Sequence, residues 1–301
     1  LWYGYARQAP RGAWFSATGT FAGNVKLDSI SLSTGNINKH EIYVAKYSTT
    51  GKIIWAKKFN AANLGTEAGY SVYADTTGNC YVVGTISVQT VFGAVTLNPT
   101  SYEDAFIVKL DPSGTVLWAK LGTGPYQIEA FAVTCDKLNN VYVTGRFRFT
   151  ATFGSFSITA KGTNADIFLV KYDAAGNVLW IKQAGTENGQ DIGYGTITDS
   201  QNNVYITGHF EGSGTFDTVS VNAGVYIAKY DLNGKLIWVR SGGSNISCNF
   251  YSIGVDAADN IYTAGNIADG KIIFGNDTLT AAKSDMMVCK FKSDGNKIWL
   301  R

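Results

Sequence analysis

The chain has 301 residues and a formal net charge of +2, with 25 Lys and Arg against 23 Asp and Glu. With no polybasic run, that balance argues against nucleic acid or an anionic membrane surface as the main partner, and apolar stretches of strand length only leave no membrane insertion to expect. Thirty-four glycines beside 17 Tyr and 16 Phe favour sheet and turn.

In chain order, one phrase recurs five times. It ends in Trp55, Trp118, Trp180, Trp238 and Trp299, with Lys46, Lys109, Lys171, Lys229 and Lys290 nine residues earlier each time. Gly51, Gly114, Gly176, Gly234 and Gly295 stand four residues before each Trp. Such a period means one supersecondary unit used repeatedly. Within the third unit, strands are predicted over 129–135, 141–147, 166–172 and 178–182, separated by Asp/Asn/Gly turns in the hairpin manner. No segment has sustained helical periodicity.

Two spacings are fixed. Asp75, Asp136, Asp199 and Asp256 each precede the second-strand Gly (Gly84, Gly145, Gly208, Gly265) by nine residues, and the Lys-to-Trp interval is constant as well. The two remaining connections vary in length. Four short antiparallel strands, repeated, with strands such as Val178–Ile181 apolar on both faces, predict an all-β protein: a β-propeller of five four-stranded blades. Residues 1–301 then form one domain of repeats of about 61 residues. No half unit is left over, so the first and fifth blades are expected to meet and close a ring. The rigid turns fall on one face of the disc and the variable loops on the other, where binding is expected.

The chain opens on Leu1-Trp2 inside a repeat and stops at Arg301, and is read as part of a longer chain. A domain this size needs no metal or disulfide staple. Cys80, Cys135, Cys248 and Cys289 form no CxxC pair, and Cys80 and Cys289 fill slots held elsewhere by Val, Ile or Ala. They read as buried thiols. The Asp-x-x-Gly turns lack the alternating oxygens and terminal Glu of a calcium loop, so neither metal nor cofactor is expected. The Trp and Lys series are read as packing between blades and as Lys–Asp contacts near the turns.

Glu67, Glu129, Asp191 and Asn249 stand at the starts of the first strands. They form the candidate ligand-binding ring at the channel mouth, suited to a cation or to sugar hydroxyls. The competing reading is that each satisfies amides of the preceding loop. His40 and His209 have no nucleophile motif beside them. Near-equivalent acids, one per blade, do not supply the unlike pair that acid–base catalysis needs.

The phrases Asp104–Lys120 with Asp136–Gly145, and Asp166–Lys182 with Asp199–Gly208, resemble the bacterial β-propeller repeat called SBBP. Unit one departs most, with Gly12-Ala-Trp-Phe in the Asn-Val-Tyr slot and Leu27 where Phe92, Phe153, Phe216 and Phe274 stand. The resemblance implies a secreted or outer-surface bacterial protein, often of the Bacteroidetes and exported by type IX secretion. Its name refers to seven blades, so part of a seven-bladed propeller is the alternative architecture. It brings no catalytic residues. Asp28-Ser29-Ile30, Asp217-Thr218-Val219 and Asp277-Thr278-Leu279 resemble Bacteroidetes O-glycosylation sites. The functional expectation is a non-catalytic extracytoplasmic scaffold or binding module for protein or glycan, working as part of a larger surface protein or assembly. The alternatives are a five-bladed glycoside hydrolase or lyase and a lectin-like sugar-binding propeller.

Overall fold

The computed structural model describes residues 3–8, 14–243, 248–268, 270–275 and 277–301. Among them every regular element is a β-strand. The strands form five four-stranded antiparallel units, each a simple meander. Unit three comprises Ile128–Cys135, Val141–Arg148, Ala165–Tyr172 and Val178–Gly185, containing each of the four predicted segments.

The first turn of units two to five is self-contained. Asp136 Oδ1 accepts the Leu138 and Asn140 amides at 2.9 Å, and Oδ2 accepts Asn140 Nδ2 at 2.7 Å and the Tyr142 hydroxyl at 3.0 Å. Asp75, Asp199 and Asp256 repeat the pattern with Tyr81, Tyr205 and Tyr262. These carboxylates are spent on folding the turn and anchoring a second-strand tyrosine.

The constant second-strand glycine has a steric cause. In units two to five the first strand carries a β-bulge at Tyr70, Phe131, Tyr194 and Tyr251, each opposite the second-strand step that leads into the glycine. The bulge tilts the first strand so that its carbonyls press on that glycine. A Cβ at Gly84, Gly145, Gly208 or Gly265 would overlap the carbonyl oxygen of Ala68, Glu129, Ile192 or Asn249.

The Lys and Trp series explain how units join. Lys46 Nζ and Trp55 Nε1 both donate to the Pro112 carbonyl of the next unit, at 3.2 and 3.0 Å. Lys109 and Trp118 share Ala174 O, Lys171 and Trp180 share Leu232 O, and Lys229 and Trp238 share Ser293 O. Two residues beyond each acceptor stands a glycine with φ between +80° and +85°. A Cβ on Gly114, Gly176, Gly234 or Gly295 would lie 3.1, 3.0, 3.0 or 2.9 Å from the preceding unit's Trp ring. The glycine is therefore required twice, for its left-handed backbone and for seating the indole. The expected Lys–Asp contact occurs in two units, Lys229 to Asp199 at 3.2 Å and Lys290 to Asp256 at 3.6 Å. The shared carbonyl is the common element.

The variable connection between second and third strands carries its own hairpin. In units two, three and four this hairpin hydrogen-bonds to the fourth strand of the preceding unit, through Thr90–Phe92, Thr150–Phe153 and Gly214–Phe216. Three sheets thereby reach six strands, an extension that the four-strand expectation missed. Each hairpin turn needs positive φ at its first residue, supplied by Gly93, Gly154 and Gly275, and by Asp28 and Asp217. Two of the three Asp-Ser/Thr sequences place their Asp at this turn position. The third-strand segments Asp104–Leu110 and Ala165–Tyr172 are buried throughout, as expected between two neighbours.

The expected ring does not close. Among the described residues no strand of unit five pairs with unit one. The third strand of unit five, Asp285–Phe291, buries one face only, and Met286 is 89% exposed. Its counterparts Ala105, Ile167 and Val225 are buried against the following unit. Equal repeats fix how neighbours pack, but not the total angle that five of them sweep.

Candidate functional site

The four polar residues predicted at the channel mouth do not share a register. Glu129 and Asn249 lie directly opposite Arg146 and Asn266, whereas Ala68 and Ile192 fill that position in units two and four, opposite Thr85 and His209. Glu67 and Asp191 stand one residue earlier. A one-residue offset in a strand sends the side chain to the other face. The single ring is thus corrected to two pairs with different surroundings.

Glu67 is 1% exposed, and its Oε1 accepts the Ser87 and Val88 amides at 3.3 and 3.1 Å. Asp191, fully buried, accepts the Thr186 amide at 2.6 Å and the Glu211 amide at 3.0 Å. Both clamp the loops that leave the second strand. Glu129 instead pairs with the Arg146 guanidinium, and Asn249 Nδ2 donates to Asn266 Oδ1 at 3.3 Å.

Burial, only partly offset by these amides and by Thr186, pushes Asp191 up to about 6. A folded pKa above the unfolded value means that this residue's contribution is fully present below the ordinary carboxylate range and is lost as pH rises through about 6. Stability measured by denaturant at a series of pH values should fall across that window. The Asp191→Asn chain should lack this step, and an unchanged profile would show that Asp191 is ionised throughout.

Asp191 stands behind a cleft on the loop face. It has a volume of about 520 Å³ and lies between units three and four. Its walls are Lys161, the segment 185–189 and the segment 211–215. Lys161 Nζ bridges the walls, donating to Gly185 O at 3.0 Å and to Thr215 Oγ1. Glu211 Oε2 accepts the Gln190 amide at 2.6 Å. Glu187 and Asn188 are exposed at the rim.

A second feature escaped the sequence reading. The bulge residues form an aromatic file, with centroids 5.3 Å apart for Tyr70 and Phe131, 5.7 Å for Phe131 and Tyr194, and 5.1 Å for Tyr194 and Tyr251. The Arg146 guanidinium sits 5.8 Å from the Phe131 ring, and His209 lies flat on Tyr194 at 6.1 Å. Burial pushes the Tyr70 hydroxyl up to about 12 and holds His209 below its usual value. The pairs Gly69-Tyr70 and Gly193-Tyr194 were the available signal.

Residues 179–209, running from the fourth strand of unit three through the second strand of unit four, match the family model for the SBBP β-propeller repeat. The chain has a β-propeller repeat fold. It is 28% identical over 253 residues to an uncharacterised WD repeat-containing protein of Acanthamoeba polyphaga mimivirus. That match covers 69% of this chain but only 18% of the relative, so the chain spans less than a fifth of the relative's length. Among solved structures, it is similar to a protein of unknown function from Bacteroides caccae, with a TM-score of 0.40, 10% identity, and coverage of 94% of this chain and 92% of that one. It is also similar to a xylan β-1,4-xylosidase from Bacillus halodurans, with a TM-score of 0.45, 11% identity, and coverage of 100% and 54%.

Proposed function

We propose that the chain is a non-catalytic module built as five propeller blades in one domain, and that it binds protein or glycan on its loop face. The observation that carries this reading is the fate of the carboxylates. The turn aspartates are held by their own turns, Glu67 through Oε1 and Asp191 through both oxygens by loop amides, and Glu129 by Arg146. What is left open to solvent on the loop face is a polar cleft bounded by loops that differ between units, the arrangement in which a rigid frame carries a specialised contact. The repeat resemblance supports an extracytoplasmic setting, secreted or outer-surface attached.

The test is a paired screen of the 301-residue chain against glycans and surface-protein extracts for binding, and against glycoside substrates for turnover. Binding without turnover is the expected result. Glu187→Arg, at the exposed rim, should weaken binding at an unchanged melting temperature. Turnover of any glycan would move the protein to the hydrolase or lyase reading. Binding that survives Glu187→Arg but is lost on changing Tyr194 would place the contact on the aromatic file.

A further inference from the structure

One position of the repeat changes its chemistry while its neighbours keep theirs. In the second strand, the residue after the constant glycine is Thr85, Arg146, His209 and Asn266 in units two to five. One step further on stand Ile86, Phe147, Phe210 and Ile267, all buried. Across the ladder this slot faces Ala68, Glu129, Ile192 and Asn249, and two residues beyond these comes the bulge, aromatic every time. A constant aromatic beside a slot that differs between units is a fixed floor carrying specialised groups. Bulges are one means by which a sheet re-aims a side chain toward a site.

Units two, three and four are each packed between two others, so what they leave open does not come from the ends of the chain. Tyr70, Phe131 and Tyr194 are nonetheless only half-buried, with their rings in contact. Arg146 holds Glu129 through Nε, which leaves the two terminal amino groups of the guanidinium for other acceptors. His209 lies flat on Tyr194, and its Nδ1 has no hydrogen-bond partner among the described residues. Burial holds this imidazole below its usual value, so it is neutral at neutral pH. Glu129 and Arg146 cancel, and the next charges that act on Glu129, those of Glu103 and Arg148, are again one of each sign. The cluster is aromatic, rich in planar donors and acceptors, and without net charge. That combination disfavours an ion and a purely apolar ligand alike. It suits a sugar ring, whose C–H face packs on an aromatic face while its neighbouring hydroxyls meet planar polar groups.

We infer that the inner, loop-face end of units two to four binds a neutral saccharide, with Tyr70, Phe131 and Tyr194 against its C–H faces and Glu129, Arg146 and His209 on its hydroxyls. The site rests on the glycan half of the loop-face reading, and it shares no residue with the cleft between units three and four.

The test is binding of the 301-residue chain to immobilised cello-, xylo-, manno- and malto-oligosaccharides, with oligogalacturonate as the charged comparison. At least one neutral series should bind, and more tightly than oligogalacturonate. Tyr194→Ala should weaken that binding by about tenfold, the scale of one lost aromatic contact. His209→Thr should weaken it at an unchanged melting temperature, because Thr85 already fills the same slot in unit two. If Tyr194→Ala lowers the melting temperature, His209→Thr alone decides. Full affinity in the decisive variants overturns the proposal, as does a preference for oligogalacturonate. A chain that binds no saccharide overturns it too, and the loop-face reading then depends on the protein half of its own screen. Saccharide binding lost in Glu187→Arg but kept in His209→Thr belongs to the cleft, which overturns the inner site and spares the loop-face reading.

Discussion

Gly145→Ala should destabilise the protein by more than about 4 kcal/mol, a size reserved for a few named mechanisms such as backbone strain and overpacking. The conventional expectation for Gly to Ala in a strand is a gain, since Gly weakens strand interiors. Here the added methyl would overlap the Glu129 carbonyl oxygen, a backbone atom that cannot rotate away. Relief would require the first strand of unit three to retreat and the bulge at Phe131 to unwind, pulling Glu129 from Arg146 and Phe131 from between Tyr70 and Tyr194. Denaturant unfolding monitored by tryptophan fluorescence gives the number. A midpoint shifted by no more than that of an ordinary surface substitution would mean that the bulge is plastic and that the invariant glycine spacing has some other origin.

The sequence made the local parts legible because they are governed by local chemistry. The four strands of unit three follow from apolar runs bounded by Asp/Asn/Gly turns, and the nine-residue spacing from Asp136 to Gly145 measures one tight turn plus the distance to the bulge. Two things were not legible. The hairpin around Gly154 looked like an elastic loop because its value lies in pairing with another unit, at Gly122 and Thr123, which no local pattern announces. The ring of Glu67, Glu129, Asp191 and Asn249 failed for a subtler reason. Their distances to the turn Asp are eight, seven, eight and seven residues. In a period-two element that alternation was itself the sign that two of them face away from the other two. The identity of the clamped groups, Thr186 and Glu211 for Asp191, depends on loops whose course only the fold determines.

Trp238→Ala should cost about 3–5 kcal/mol, the range for removing a large packed aromatic. Trp299→Ala, at the equivalent position of unit five, should cost about 1–2 kcal/mol in dilute solution, as for a partly exposed side chain without a second partner. The sequence around the two is nearly the same, so any difference between them belongs to the following unit. Trp238 is 9% exposed, donates to Ser293 O at 3.1 Å and has Gly295 against its ring. It also packs edge-on against Tyr205 at 5.8 Å. Among the described residues Trp299 has no carbonyl acceptor, and it keeps the ring contact with Tyr262. Removing Trp238 therefore empties the seam between units four and five and leaves Lys229 as the sole donor to Ser293 O. Equal losses at the two sites would show that the indole stabilises its own unit and that the joint is held by strand packing alone. A larger loss at Trp299 than at Trp238 would mean that unit five is already covered in solution, and that the open face of the arc is filled.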